Sequence, residues 1–138
     1  MAELIAEGAR QTSVEVTPKR VEECKLDELV KADGIIVGSP TYFSNVAWQV
    51  KKLIDESIVL YEKGRQLKNK AGGCFTAAGT RKDGEDCIRI LELTLGQHHR
   101  MKILPGIIKA SSDPWDDAIK TCRNYGQKIG EQMNQELA

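Results

Sequence analysis

The chain has 138 residues, 41% of them hydrophobic and 29% charged, which is ordinary globular usage and excludes disordered, collagen-like and coiled-coil classes. Lys plus Arg (20) balance Asp plus Glu (20), so the basic excess of a nucleic-acid binder is absent. No apolar run approaches the roughly 20 residues of a membrane span, and Met1-Ala2-Glu3-Leu4 does not open a signal peptide. The expectation is one domain over residues 1–138, in the cytoplasm, without nucleic-acid partners. Cys24, Cys74, Cys87 and Cys122 have no Cys-x-x-Cys spacing, so they read as reduced, buried thiols and not as zinc ligands or a redox pair.

In chain order, Met1 to about Arg10 reads as a helix with Leu4 and Ile5 on one face. Ser13 to Thr17 alternates as a short strand with Val14 and Val16 on one side, ended by Pro18. Leu26 to Lys31 reads as a helix. Ile35-Ile36-Val37 is a continuous apolar run, as in a strand buried on both faces. Val46, Val50, Leu53, Ile54, Ser57, Ile58 and Tyr61 recur at helical spacing and predict one long helix. Ala71 to Thr76 is a small-residue strand, and Asp86 to Arg100 a helix. Ile103-Leu104 and Ile107-Ile108 predict a last strand, with Pro105-Gly106 marking it as an edge or a bulge. The last helix starts at Asp113-Pro114 and carries Ala118, Cys122, Tyr125, Ile129 and Met133 inward.

Helices and strands therefore alternate, which implies a doubly wound parallel sheet between two helical layers. Ligands in such sheets bind outside the carboxyl ends of the strands. Two suggestive loops fall there. Gly38 to Asn45 offers the hydroxyls of Ser39 and Thr41 and the flat faces of Tyr42 and Phe43, held in a turn by Gly38 and Pro40. Thr76-Ala77-Ala78-Gly79-Thr80 has small side chains that leave the backbone open to close approach. Either loop is also compatible with a plain strand-to-helix turn with a hydroxyl cap.

The segment Ala32-Asp33-Gly34-Ile35-Ile36-Val37-Gly38-Ser39-Pro40-Thr41-Tyr42-Phe43-Ser44-Asn45 resembles the third strand and isoalloxazine-binding loop of flavodoxin-like FMN proteins. The nearer resemblance is to the WrbA type, a family of NAD(P)H:quinone oxidoreductases. Gln49 to Asp55, Leu60-Tyr61, Phe75-Thr76-Ala77-Ala78-Gly79-Thr80 and His98-His99-Arg100-Met101 follow in the family's order, so the resemblance spans about Met1 to Met101. It implies a flavodoxin-like three-layer fold, FMN as cofactor, NAD(P)H as co-substrate, a quinone or similar small molecule as electron acceptor, and a homo-oligomer, dimer or tetramer. By position, Ser39, Pro40, Thr41, Tyr42, Phe43 and Asn45 would bind one side of the flavin. Thr76, Ala77, Ala78, Gly79 and Thr80, continuing to Lys82, would wrap its other edge. His98 would reach FMN across a subunit interface, and Tyr61 would meet nicotinamide or quinone. Tyr61 also shares a face with Ile54 and Ile58, which suits core packing, and a histidine at a helix carboxyl end gains about 0.3–1 kcal/mol from the dipole. Trp48 and Trp115 read as buried or interfacial.

The family opens with an apolar strand and a phosphate loop of the Thr-Gly-Asn-Thr kind, then a helix similar to Met1–Arg10. That strand would be the central one of the order 2-1-3-4-5. The expectation is a sheet lacking it, with the second and third strands paired directly or the gap filled by another chain. An electron carrier without its own substrate, docking on a redox partner protein, and a fold module that does not hold FMN remain alternatives. A phospho-receiver is excluded because Gly38-Ser39-Pro40 stands where its acceptor aspartate belongs. No Gly-x-Ser-x-Gly elbow is present.

Overall fold

The computed structural model describes residues 1–137. Its helices are α1 (Ala2–Arg10), α2 (Leu26–Lys31), α3 (Trp48–Glu56), α4 (Ile58–Glu62), α5 (Arg81–Glu92) and α6 (Trp115–Leu137). Its strands are β1 (Gly34–Tyr42), β2 (Asn45–Val46), β3 (Ala71–Ala78), β4 (Lys102–Ile103) and β5 (Ile107–Ala110). The sheet runs β2-β1-β3-β4, and β5 also pairs with β3. All contacts of β3 are parallel, and only the short β1–β2 hairpin is antiparallel.

Each face of the sheet carries its own core. Ile5 of α1 packs with Cys122, Tyr125 and Ile129 of α6 on one face. Leu29, Val50, Leu60, Cys87, Ile88 and Leu91 cover Ile35 and Cys74 on the other. This is the expected three-layer α/β arrangement. α1 and α6 cross closely because neither has a side chain at the contact: a Cβ on Gly8 would lie 2.0 Å from the Arg123 carbonyl oxygen, and one on Gly126 1.9 Å from that of Ile5.

Four expectations are corrected. Ser13–Thr17 forms no strand: Ser13 ends a turn at φ 69°, and Val14–Thr17 is irregular, with Val14 and Val16 half-buried and no ladder partner among the described residues, so the strands that correspond to the family's second and third do not pair directly. The long helix breaks at Ser57 into α3 and α4, where the Ser57 hydroxyl donates to the Ile54 carbonyl at 2.7 Å and competes with the backbone ladder. The helix expected from Asp86 begins at Arg81, where the Thr80 hydroxyl accepts from the Asp83 N–H at 3.2 Å, and its last turns, Leu93–His98, widen to a π-helix. Trp48 and Trp115 are exposed in the single chain, which removes the buried reading of both.

The last strand is interrupted at Pro105-Gly106, as expected, into β4 and β5. The break withdraws a ladder partner from the Cys74 N–H. Tyr125 replaces it: its hydroxyl accepts from Cys74 N at 3.0 Å and donates to the Leu104 carbonyl at 3.1 Å. Gly73 makes room for this, since a Cβ there would stand 2.0 Å from the tyrosine oxygen.

Candidate functional site

The register of β1 on β3 pairs Ser39 with Thr76 and Pro40 with Ala77, so the two loops chosen from the sequence leave the sheet side by side. A column of hydroxyls holds them together. Thr76, with 0% exposure, donates to the Ser39 carbonyl at 2.6 Å, so its oxygen accepts from the Thr41 hydroxyl, also at 2.6 Å. Ser39 is buried and closes the turn: its hydroxyl donates to the Pro40 carbonyl and accepts from the Ala47 N–H at 2.9 Å.

Beyond Tyr42 the chain reverses through Phe43 and Ser44, both at positive φ (51° and 62°), and returns as β2. This is the two-residue hairpin loop that normally selects Asn-Gly. The Ser44 hydroxyl donates to the Asp83 carboxylate at 2.8 Å, tying the hairpin to the first turn of α5, and Asn45 accepts from the Val46 N–H at 2.7 Å. The tip side chains stand in solvent: Tyr42 is 60% exposed and Phe43 104%. On the β3 side Ala77, Gly79 and Thr80 are exposed, Ala78 is buried, and a Cβ on Gly79 would meet nothing within 4 Å. The Ser111 N–H fixes this tip by donating to the Ala78 carbonyl at 2.9 Å. Lys82, exposed on α5, pairs with Asp86. At the base, Arg81 pairs with Asp113, whose carboxyl is held below the usual range by the Ala110 N–H and then by Arg81.

The shelf therefore offers two flat apolar faces, open backbone at Ala77–Gly79 and a Thr41 oxygen whose proton is already committed. Those are features a planar ring with polar edges requires, and the residues present fit the isoalloxazine of FMN.

Tyr61 and His98 do not join it. They lie at the other end of the sheet, where the Asn69 N–H meets the Arg100 carbonyl and the Lys102 N–H meets that of Lys70, just before β3 begins. Roughly 25 Å of helix separates the start of α5 from His98. Arg65 stacks on the Tyr61 ring, 4.7 Å from its centroid, donates to the Tyr61 hydroxyl at 3.2 Å and donates to the His98 carbonyl at 3.2 Å.

Sequence reasoning passed over His99, the buried member of the pair, with 4% exposure. Ser57 has given its proton to Ile54, so it accepts from His99 Nε2 at 3.0 Å, leaving Nδ1 unprotonated and without a partner among the described residues. Burial, and then the neighbouring His98, hold the His99 pKa below its ordinary value. Ser57 and His99 line an apolar cavity of about 30 Å³ together with Val37, Leu53 and Leu95. The only sequence signal for this was Ser57 on the apolar face of a predicted helix.

A family model described as NADPH-dependent FMN reductase matches residues 2–115. The chain is 31% identical over 146 aligned positions to an NAD(P)H dehydrogenase (quinone) of Brucella melitensis, covering 91% of this chain and 73% of that protein. It is 28% identical to a flavodoxin of Aquifex aeolicus, covering 95% of this chain and 77% of that one. Among solved structures it is similar to a flavodoxin, WrbA-like protein of Agrobacterium tumefaciens, with a TM-score of 0.78, 26% identity, and coverage of 97% and 87% of the two chains.

Proposed function

This chain belongs to the NADPH-dependent FMN reductase family as a flavodoxin-like, WrbA-type protein, and we propose that it seats the FMN ring on the tips of β1 and β3 and passes electrons from NAD(P)H to a quinone or a similar small acceptor. The observation that carries this reading is the pairing of Ser39 with Thr76 and Pro40 with Ala77, which presents the two tips as one shelf. The residues have separate tasks. Ser39, Pro40 and Thr76 are structural and hold the turn. Thr41 turns an oxygen lone pair toward a ring N–H. Tyr42 and Phe43 supply the stacking surface, Asn45 closes the hairpin, and Ala77, Ala78, Gly79 and Thr80 present backbone to the ring's other edge.

FMN, when bound, supplies the hydride and electron chemistry. The protein then needs no acid–base pair of its own; its work is to orient the ring, exclude water from one face and leave the other open for a donor and an acceptor. Tyr61 and His98 sit at the opposite end of the sheet, so in this reading they reach a flavin only from another copy, in a dimer or tetramer. No helix among the described residues is long and apolar enough to cross a membrane, which suits a diffusible acceptor.

The test is to purify the protein, record its absorption spectrum with and without added FMN, and follow NADPH oxidation with a benzoquinone. Flavin bands together with acceptor-dependent NADPH turnover are expected. Flavin bands with reduction only through a separate reductase would make it an electron carrier and overturn the enzymatic half. A colourless protein that FMN neither colours nor stabilises would overturn the whole reading.

A further inference from the structure

β5 turns Ile107 and Lys109 to one face of the sheet, because side chains two apart in a strand share a side. Ile107 packs there into the core beneath α1 and α6. An apolar residue would therefore suit position 109. A lysine stands there instead, with 8% exposure. Its Nζ donates to the Ala110 carbonyl at 2.7 Å and lies 4.9 Å from the centroid of the Trp115 ring. Neither neighbour carries a negative charge, and no carboxylate pairs with Lys109 within 4.0 Å among the described residues. Asp113 feels Lys109 through space, but it is engaged by Arg81 and by the Ala110 N–H at 2.9 Å. A buried ammonium without a counter-ion is costly, even with a ring face beside it.

Lys109 lines a cleft of about 400 Å³ between β5 and the first turns of α6. That size suits a small molecule. Ile107, Ala118 and Cys122 give it apolar walls. Four charged side chains line it as well, and two of them, Arg81 and Asp113, neutralise each other. Asp117, exposed in the first turn of α6, has no cation within 4.0 Å among the described residues. Thr121 stands one turn further along the same helix face. One cation on the sheet side and one anion on the helix side are thus left over, too far apart to pair with each other. The cleft shares no residue with Ser39–Asn45 or Thr76–Thr80.

We propose that this cleft binds a small zwitterion of the amino-acid class, its carboxylate on the Lys109 ammonium and its ammonium on the Asp117 carboxylate. The charges choose the class. A phosphate dianion would satisfy Lys109 but meet Asp117 as a like charge, and a simple amine would satisfy Asp117 but meet Lys109. A molecule with both groups neutralises both residues, and its carbon chain covers Ile107 and Ala118. The Thr121 hydroxyl offers a further hydrogen bond to either end. The proposal does not rest on the flavin reading.

The probes are glycine, β-alanine, 4-aminobutyrate and 6-aminohexanoate, titrated into the full chain labelled with nitrogen-15. At least one should saturate with a millimolar dissociation constant and shift the amide resonances of Lys109, Ala110 and Asp117 to Thr121. Butyrate and butylamine, with one charge each, should bind at least about tenfold more weakly. Asp117→Asn, at an exposed position, should weaken the best zwitterion about tenfold and leave butyrate unchanged. Lys109→Met keeps the apolar stem and should weaken both; if it does not fold, Asp117→Asn decides alone. Saturation by none of the four probes would overturn the proposal. Butyrate or inorganic phosphate binding as tightly at the same amides would make this a simple anion site and overturn it too. Displacement of the zwitterion by FMN would assign the cleft to the flavin and do the same.

Discussion

Tyr125 and His99 show how single polar groups are handled inside this fold. The Tyr125 hydroxyl bridges two backbone groups that the Pro105-Gly106 interruption separates, and burial pushes its pKa well above the ordinary phenol range. Tyr125→Phe leaves Cys74 N and the Leu104 carbonyl buried without a partner, so a loss of about 1–3 kcal/mol is expected by denaturant titration, with FMN affinity unchanged. His99 carries the opposite case, an acceptor nitrogen with no partner. Its pKa lies below the free value of 6.5. Below that value the unfolded chain takes up a proton that the folded chain does not, so stability present above pH 6.5 declines as pH falls. His99→Gln retains a donor toward Ser57 without a titrating ring. Urea midpoints at pH 7.5 and 5.5 should differ less for this variant than for the parent; an equal difference would remove His99 from the acid response. Neither role was legible in the sequence, where Tyr125 is one inward helical position among several and His99 the less notable of two adjacent histidines. The Cys74 thiol, pushed up to about 12 by burial, is what a dispersed cysteine without a paired spacing led one to expect.

At the scale of elements, the sequence was most informative where one period dominates. The Ile35-Ile36-Val37 run, the small residues of Ala71 to Thr76 and the α6 stripe all gave their elements. It was least informative where a local competitor decides, as at Ser57, or where regular structure needs a neighbour, as at Ser13–Thr17, whose alternation is correct for a strand that has nothing to pair with. The β1–β2 hairpin escaped notice because Phe43-Ser44 is a poor sequence for a loop with two positive φ values. That conformation costs a bulky side chain roughly 1–2 kcal/mol. Phe43 meets solvent and not a core, so the fold itself has no use for it. Phe43→Asn should raise stability by up to about 1 kcal/mol in thermal unfolding while weakening FMN binding. If it does the first without the second, Phe43 is no part of the ring site.

The whole molecule is a mostly parallel sheet between two helical layers, as the sequence implied, but narrower than expected because the strand predicted at Ser13–Thr17 does not join it. β1 stands at its border with β2 as a short flap, and that border explains why an apolar run remains half-buried. The candidate site was legible as two loops; that they form one shelf depends on the register of β1 against β3, which no local pattern encodes. Distance divides the remaining positions: Tyr61 and His98 belong to the far end of the same sheet, and only assembly could return them to a flavin. Gly79 offers the most direct test. A side chain there meets nothing within 4 Å in the protein alone, so Gly79→Val should leave the melting temperature of the flavin-free protein unchanged. If the ring rests on this shelf, FMN titration of the variant will show a dissociation constant raised at least tenfold. An FMN affinity equal to the parent's would contradict the placement of the flavin between these two tips.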